Sequence, residues 1–278
     1  MTAAGRLFVS DIDGTLLTPD KQLTPAAIAA VADLRAAGVP FSVVSSRPAR
    51  GMAKVVAALG VTLPYAAFNG GNVVNPAGGL LQAHRLAAEA AAAALQLLDH
   101  AGVQPWVFAD DAWLLKDPNG PKVERERRTV DFEPTVVASF GAVIGRIDKI
   151  VVPSDDYALL DQIEAELRTE LAGDANVERS QAYYIDVTHP LANKGEAVRA
   201  IAAYLGADIG STVVIGDMTN DVAMFRVAGF AIAMGQAPAP VKAAAGAVTA
   251  ANTEDGFAKA VASLVLPRFA NSTREANA

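Results

Sequence analysis

The chain has 278 residues, 52% hydrophobic and 19% charged, a composition that belongs to a folded globular protein and excludes a disordered one. A net charge of −7 argues against a general nucleic-acid binder, because phosphate backbones demand a cationic surface. With no cysteine, disulfides and thiolate metal sites are excluded as well.

Residues 1–6 leave no room for a signal peptide before the first strand signal at residues 7–10. The Ala-rich stretch at 86–98 carries Glu89 and is too short to span a bilayer, so a cytoplasmic protein with no membrane partner is expected. The first strand runs into Asp11-Ile12-Asp13-Gly14-Thr15, where two acids one residue apart on extended chain point the same way. Crowding such acids is costly unless a cation neutralises them or a substrate needs both. Thr24 then reads as an N-cap with Pro25 at the first helical position. Ile28, Val31 and Leu34 form a helical face, and Gly38 stands where a C-terminal glycine belongs. Residues 40–45 read as a second buried strand, ending at Ser45-Ser46-Arg47. This strand, helix, strand order predicts a right-handed crossover and a parallel sheet.

The middle of the chain follows a different grammar. Residues 106–109 and 113–115 pair across Asp110-Asp111, and residues 146–152 form a further strand. Ser154 is expected to cap a helix reaching about 171, and residues 176–180 and 183–187 to close as a hairpin. The basic run from Lys122 to Arg128 reads mainly as an exposed, salt-bridged helix, and Trp113, Tyr183 and Tyr184 as core.

The first grammar then returns. Asn193 with Glu196 makes a capping box, starting a helix with Lys194 in its first turn and Val198, Ile201 and Leu205 on one face. Residues 212–215 form an apolar strand ending at Gly216-Asp217-Met218-Thr219-Asn220-Asp221, and residues 230–234 form another. The polar tail after about 268 is expected to fray. The fold class is therefore α/β: a doubly wound parallel sheet over 1–85 and 186–278, with an inserted α+β cap at 86–185.

Singly, each polar segment has an ordinary role in turns or caps. Together they put carboxylates at two strand ends, of the kind Mg²⁺ prefers, beside a hydroxyl and a lysine suited to a phosphoryl group.

In this order, Asp11-x-Asp13-Gly-Thr, Ser45, Lys194 and Gly216-Asp217-x-x-Asn220-Asp221 resemble the haloacid dehalogenase superfamily. The insertion between the second and third motifs resembles its Cof-type, large-capped phosphatases. Phe68-Asn69-Gly70-Gly71, Met234-Gly235-Gln236-Ala237 and Asn252-Thr253-Glu254-Asp255-Gly256 resemble further signatures of that group. Ser46 departs from the family, standing where a glycine usually lets backbone approach substrate.

The resemblance implies a Mg²⁺-dependent phosphatase of small phosphomonoesters, such as sugar phosphates or phosphorylated cofactors, acting through a phosphoaspartyl intermediate. It makes Asp11 the nucleophile, Asp13 the general acid and base, Ser45 a phosphoryl donor and Lys194 the neutralising cation. Mg²⁺ would lie among Asp11, the Asp13 carbonyl and Asp217, with Asp221 orienting ligands or waters. Ser46, Arg47, Asn69, Gly70 and Asn220 are the expected substrate-binding residues, and the protein is expected to be a monomer or homodimer. A phosphomutase would use the same residues, and a phospho-acceptor regulatory module combines similar groups on a parallel sheet. The large insertion and Asp13 speak against the latter.

Overall fold

The computed structural model describes residues 5–275, which form two sheets with helices packed on them. Strand β1 (Leu7–Asp11) is buried throughout, and its residues alternate between two cores. Phe8 belongs to one apolar cluster and Leu7 and Val9 to another, so the sheet is covered on both faces. Helix α1 (Pro25–Ala36) starts where the Thr24 hydroxyl accepts from the Ala27 N–H at 3.1 Å. Its buried stripe is Ala27, Ala30, Val31 and Leu34, while Ile28 is 41% exposed. Ile28 was expected on the buried face, but the four buried positions already complete one helical stripe and it lies beyond the stripe's edge. Then follow β2 (Phe41–Val44), α2 (Ala49–Leu59), β3 (Tyr65–Ala67), β4 (Asn72–Val74) and β5 (Leu80–Ala83).

The middle segment holds α3 (Ala88–His100), β6 (Trp106–Ala109), β7 (Ala112–Leu115), α4 (Val123–Val130) and the short β8 (Thr135–Val136). It continues through β9 (Ile147–Pro153), α5 (Tyr157–Glu170), β10 (Asn176–Gln181) and β11 (Tyr184–Thr188). Asp110 and Asp111 both have positive φ, as a two-residue hairpin turn between β6 and β7 requires. Helix α5 is capped by Asp156, whose side chain accepts from the Leu159 N–H, rather than by Ser154. The Ser154 hydroxyl instead accepts from the Asp156 N–H and shapes the turn before the cap.

The chain returns to the first sheet through α6 (Lys194–Leu205), β12 (Thr212–Gly216), α7 (Val222–Val227), β13 (Phe230–Ala233), α8 (Ala239–Ala243) and β14 (Ala247–Val248). Two helices finish the fold, α9 (Gly256–Ala260) and α10 (Leu266–Glu275). The tail expected to fray is thus helical to Glu275; residues 276–278 lie outside those described. Asn193 caps α6 by accepting from the Glu196 N–H, but the Glu196 carboxylate turns to Arg199 and leaves the reciprocal half of the box unmade.

The first sheet has the order β14-β13-β12-β1-β2-β3-β4-β5 and is parallel from β14 through β3, with an antiparallel edge at β4 and β5. The second sheet has the order β10-β11-β9-β6-β7-β8. Its boundary with the first was expected at 185/186, a position inside β11, whose whole length pairs with β9 and β10. Val107 and Ile150 face α3 and α5, while Trp106, Phe108 and Trp113 face the core shared with the first sheet. Where β1 lies between β2 and β12, Asp11 is opposite Val44 and Ser10 opposite Ile215. The loops after these strands therefore emerge side by side at the carboxyl edge, where open α/β sheets form ligand sites.

Candidate active site

Lys194 joins the strand ends. It is the first residue of α6 and only 2% exposed, and its Nζ lies 2.6 Å from Asp11 Oδ1 and 2.5 Å from Asp221 Oδ1. The second Asp221 oxygen accepts from the N–H groups of Asp217 (2.7 Å) and Met218 (2.8 Å), so this carboxylate fixes the turn after β12. Gly216 makes room for it, since a Cβ there would stand 2.4 Å from Asp221 Cγ. Gly14 does the same for Asp217: its φ is +84°, and a Cβ would lie 2.2 Å from Asp217 Oδ2.

Asp11, Asp217 and Asp221 each offer an oxygen within 4.8 Å of the others. Asp11 Oδ2 and Asp217 Oδ1 are buried with no hydrogen-bond partner. Two orphaned acceptors in one hard-oxygen cluster are what a divalent cation would satisfy, so the residues present fit Mg²⁺. Asp221 has donors on both oxygens, which suits orientation rather than direct ligation. Burial pushes Asp11 and Asp217 well above the ordinary carboxylate range, reinforced at Asp11 by the charges of Asp221 and Asp13 and at Asp217 by those of Asp11 and Asp221. Burial acts to lower Lys194, but Asp11 and Asp221 outweigh it and raise the ammonium above its usual range.

Asp13 faces the other way. Its carboxylate takes a bidentate fork from Arg47, Nε at 2.6 Å and Nη2 at 2.7 Å, and a third bond from Lys21 Nζ at 2.6 Å. Burial works to raise Asp13, yet Arg47 and Lys21 prevail and hold it below the usual range. Its carboxylate is not among the three that converge for a metal. Arg47 Nη1 also donates to the carbonyl of Thr129 on α4 at 2.7 Å, tying this loop to the inserted segment.

The remaining expected residues ring the same edge. Ser45 Oγ is buried and accepts from the Arg47 N–H at 3.2 Å, which leaves its own proton to donate. The Ser46 carbonyl accepts from Lys149 Nζ at 3.0 Å. Asn69, at φ +57°, accepts through Oδ1 from Asn220 Nδ2 at 3.1 Å, linking the loops after β3 and β12. Gly70, at φ +103°, lies against α6, and a Cβ there would be 2.7 Å from the Asn193 carbonyl. Asn69, Gly70 and Asn220 thus brace loops against one another.

Several residues with clear contacts here were not among the expected site residues. Gln236 Nε2 donates to the Gly14 carbonyl at 2.6 Å and to Asp217 Oδ2 at 3.2 Å, and Asn252 N–H holds Gln236 Oε1 at 3.1 Å. Lys149, on β9, is buried beside Asp186 at 3.3 Å, with the rings of Phe68 and Phe108 under its ammonium. Between the sheets, a cleft runs from Asp13, Ser46 and Arg47 to Arg125, Glu126, Lys149 and Tyr183. Trp113 and Tyr184 are buried in the core as expected, Tyr183 packs against it partly buried, and both tyrosines also line this cleft. In the basic run, Arg127 and Arg128 do pair with Glu124 on the solvent side, but Arg125 and Glu126 turn toward the cleft.

The haloacid dehalogenase-like hydrolase family matches the chain over residues 8–261. A pyridoxal phosphate phosphatase of Escherichia coli is 28% identical over 264 residues, covering 91% of this chain and 96% of its own. An HMP-PP phosphatase of Cronobacter sakazakii is 28% identical over 232 residues, covering 84% and 85%. A haloacid dehalogenase-like hydrolase from Bacteroides thetaiotaomicron superposes with a TM-score of 0.83 at 24% identity, over 92% of this chain and 98% of its own.

Proposed function

The chain belongs to the haloacid dehalogenase-like hydrolase family, and on that footing we propose that it is a Mg²⁺-dependent phosphatase of small phosphomonoesters. The observation that carries this reading is the Asp11 carboxylate, which gives one oxygen to Lys194 and keeps the other buried and uncommitted. An anionic nucleophile must approach an anionic phosphate, so its charge needs compensation at the point of attack. Lys194 supplies part of that compensation. A divalent ion held by Asp11 and Asp217 would neutralise phosphate charge beside it.

In the first step an Asp11 oxygen bonds to phosphorus while the ester P–O bond breaks, and Asp13 hands a proton to the leaving alkoxide. In the second, Asp13 takes a proton from water as the water oxygen bonds to phosphorus and the Asp11–phosphorus linkage breaks. Ser45 donates its hydroxyl proton to a phosphoryl oxygen. Arg47 and Lys21 hold Asp13 ionised in the free protein, so the entering ester must displace that fork and Asp13 must take up a proton from solvent before it can act as the acid. The relatives named for pyridoxal phosphate and HMP-PP support a small phosphorylated metabolite as substrate.

Purified protein with Mg²⁺ should release inorganic phosphate from members of a panel of phosphorylated metabolites, and a chelator should abolish the release. No release from any member of the panel would refute the reading.

A further inference from the structure

Helix α4 breaks its own pattern at one residue. Val123, Glu126 and Val130 share a helix face and are all buried. The two valines join the apolar core, but Glu126, 7% exposed, lines the cleft between the sheets. Its surroundings are Lys149, Asp186, Tyr184 and Arg47, and burial raises its carboxyl above the ordinary range. Among the other ionisable groups of the cleft, Asp13 is paired with Lys21 and Arg47, and Lys149 with Asp186. Glu126 and Arg125 have no ion-pair partner among the described residues. Arg125 instead lies over the Tyr183 ring, 4.6 Å from its centroid. The Lys149 and Arg47 charges and the Tyr184 hydroxyl offset part of the burial cost of this carboxyl without forming an ion pair with it. A carboxylate has acceptor sites beyond the one the Tyr184 hydroxyl can fill, and those on the cleft side are open to a donor carried by a ligand.

We propose that Glu126 is a specificity-determining residue, accepting a hydrogen bond from an N–H or O–H group on the substrate's leaving alcohol while Tyr183, backed by Arg125, covers that alcohol's body. This inference rests on the phosphatase reading above, and it narrows the substrates to phosphomonoesters whose alcohol carries a donor. A protonated nitrogen heterocycle and a sugar hydroxyl are the two sources of that chemistry.

Steady-state kinetics with Mg²⁺ on wild type, Glu126→Gln and Glu126→Ala tests it with three esters. Phenyl phosphate has no donor on its alcohol, pyridoxine 5′-phosphate has a protonatable ring nitrogen as well as hydroxyls, and glucose 6-phosphate has hydroxyls alone. The ratio of kcat/KM for a donor-bearing ester to that for phenyl phosphate is expected to fall about 10- to 100-fold in Glu126→Ala, mainly through KM, and less in Glu126→Gln. A fall confined to pyridoxine 5′-phosphate points to the ring nitrogen, and a fall that includes glucose 6-phosphate points to a hydroxyl. Ratios within twofold of wild type, or equal losses on all three esters, overturn the inference. If wild type cleaves none of the three, the phosphatase reading has failed for them, and calorimetric binding of the two donor-bearing esters decides separately. A tenfold weaker Kd in the Glu126 variants upholds the contact; equal or undetectable binding overturns it.

Discussion

Arg47 grips both carboxylate oxygens of Asp13, at 2.6 and 2.7 Å, while its remaining nitrogen reaches the Thr129 carbonyl across the cleft. One guanidinium therefore couples Asp13 to helix α4 of the inserted segment. A lysine cannot reproduce this fork, because its single ammonium offers no planar pair of donors.

The fork also sets acid stability. Asp13 lies below its ordinary range, so the stability it contributes is present above the unfolded carboxylate value and lost only as pH falls through the lower folded value. Removing Arg47 raises the folded value, because burial is then opposed by Lys21 alone. In Arg47→Met, acid unfolding followed by circular dichroism should begin at a higher pH than in wild type, below about pH 4 in both. Coincident acid transitions would refute the coupling.

For Asp11 and Asp217 the sign is opposite. Their raised values mean that, without metal, stability is fully present below the unfolded carboxylate value and falls as pH rises through the folded ones, about 7 and about 8. Metal binding needs both deprotonated, so stabilisation by Mg²⁺ should grow over the same range. Calorimetric melting with and without Mg²⁺ should show a Tm difference that increases from pH 6 to 8 and vanishes in Asp217→Ala. A pH-independent difference, or one that survives the substitution, would contradict the assignment.

Lys149 and Asp186 are a buried pair, their side chains 6% and 1% exposed. Lys149→Met strands Asp186 and should lower stability by about 3–5 kcal/mol, whereas adding Asp186→Leu should recover much of that loss. Denaturant titration of the two variants checks this; equal stability in single and double variants would show that the pair is not the source of the loss.

Much of the site was legible in the sequence because its acids sit at strand ends. Asp11, Ser45 and Asp217 each follow an apolar run, and register alone then places their loops side by side. Asn193 and Lys194 announce a helix start in the same way. Glu126 and Lys149 gave weaker signals. Glu126 lies inside a charge run whose other members do face solvent, and only its spacing from Val123 and Val130 marks it as inward. Lys149 and Asp148 interrupt the apolar run of β9, yet their partners at Ser46, Asp186 and Asn72 come from distant parts of the chain. The β11 boundary was missed because nothing in residues 184–188, which mix Tyr, Ile and Val with Asp186 and Thr188, says which sheet they join. Only pairing with β9 assigns them.

The central claim is that Asp11 attacks phosphorus, and Asp11→Asn tests it most directly. It keeps the side-chain shape while removing the charge and the nucleophile. With Mg²⁺ and the best ester of the panel, kcat should fall by about 10³-fold or more, with the folded state retained by circular dichroism. A variant that keeps kcat within tenfold of wild type would contradict the account.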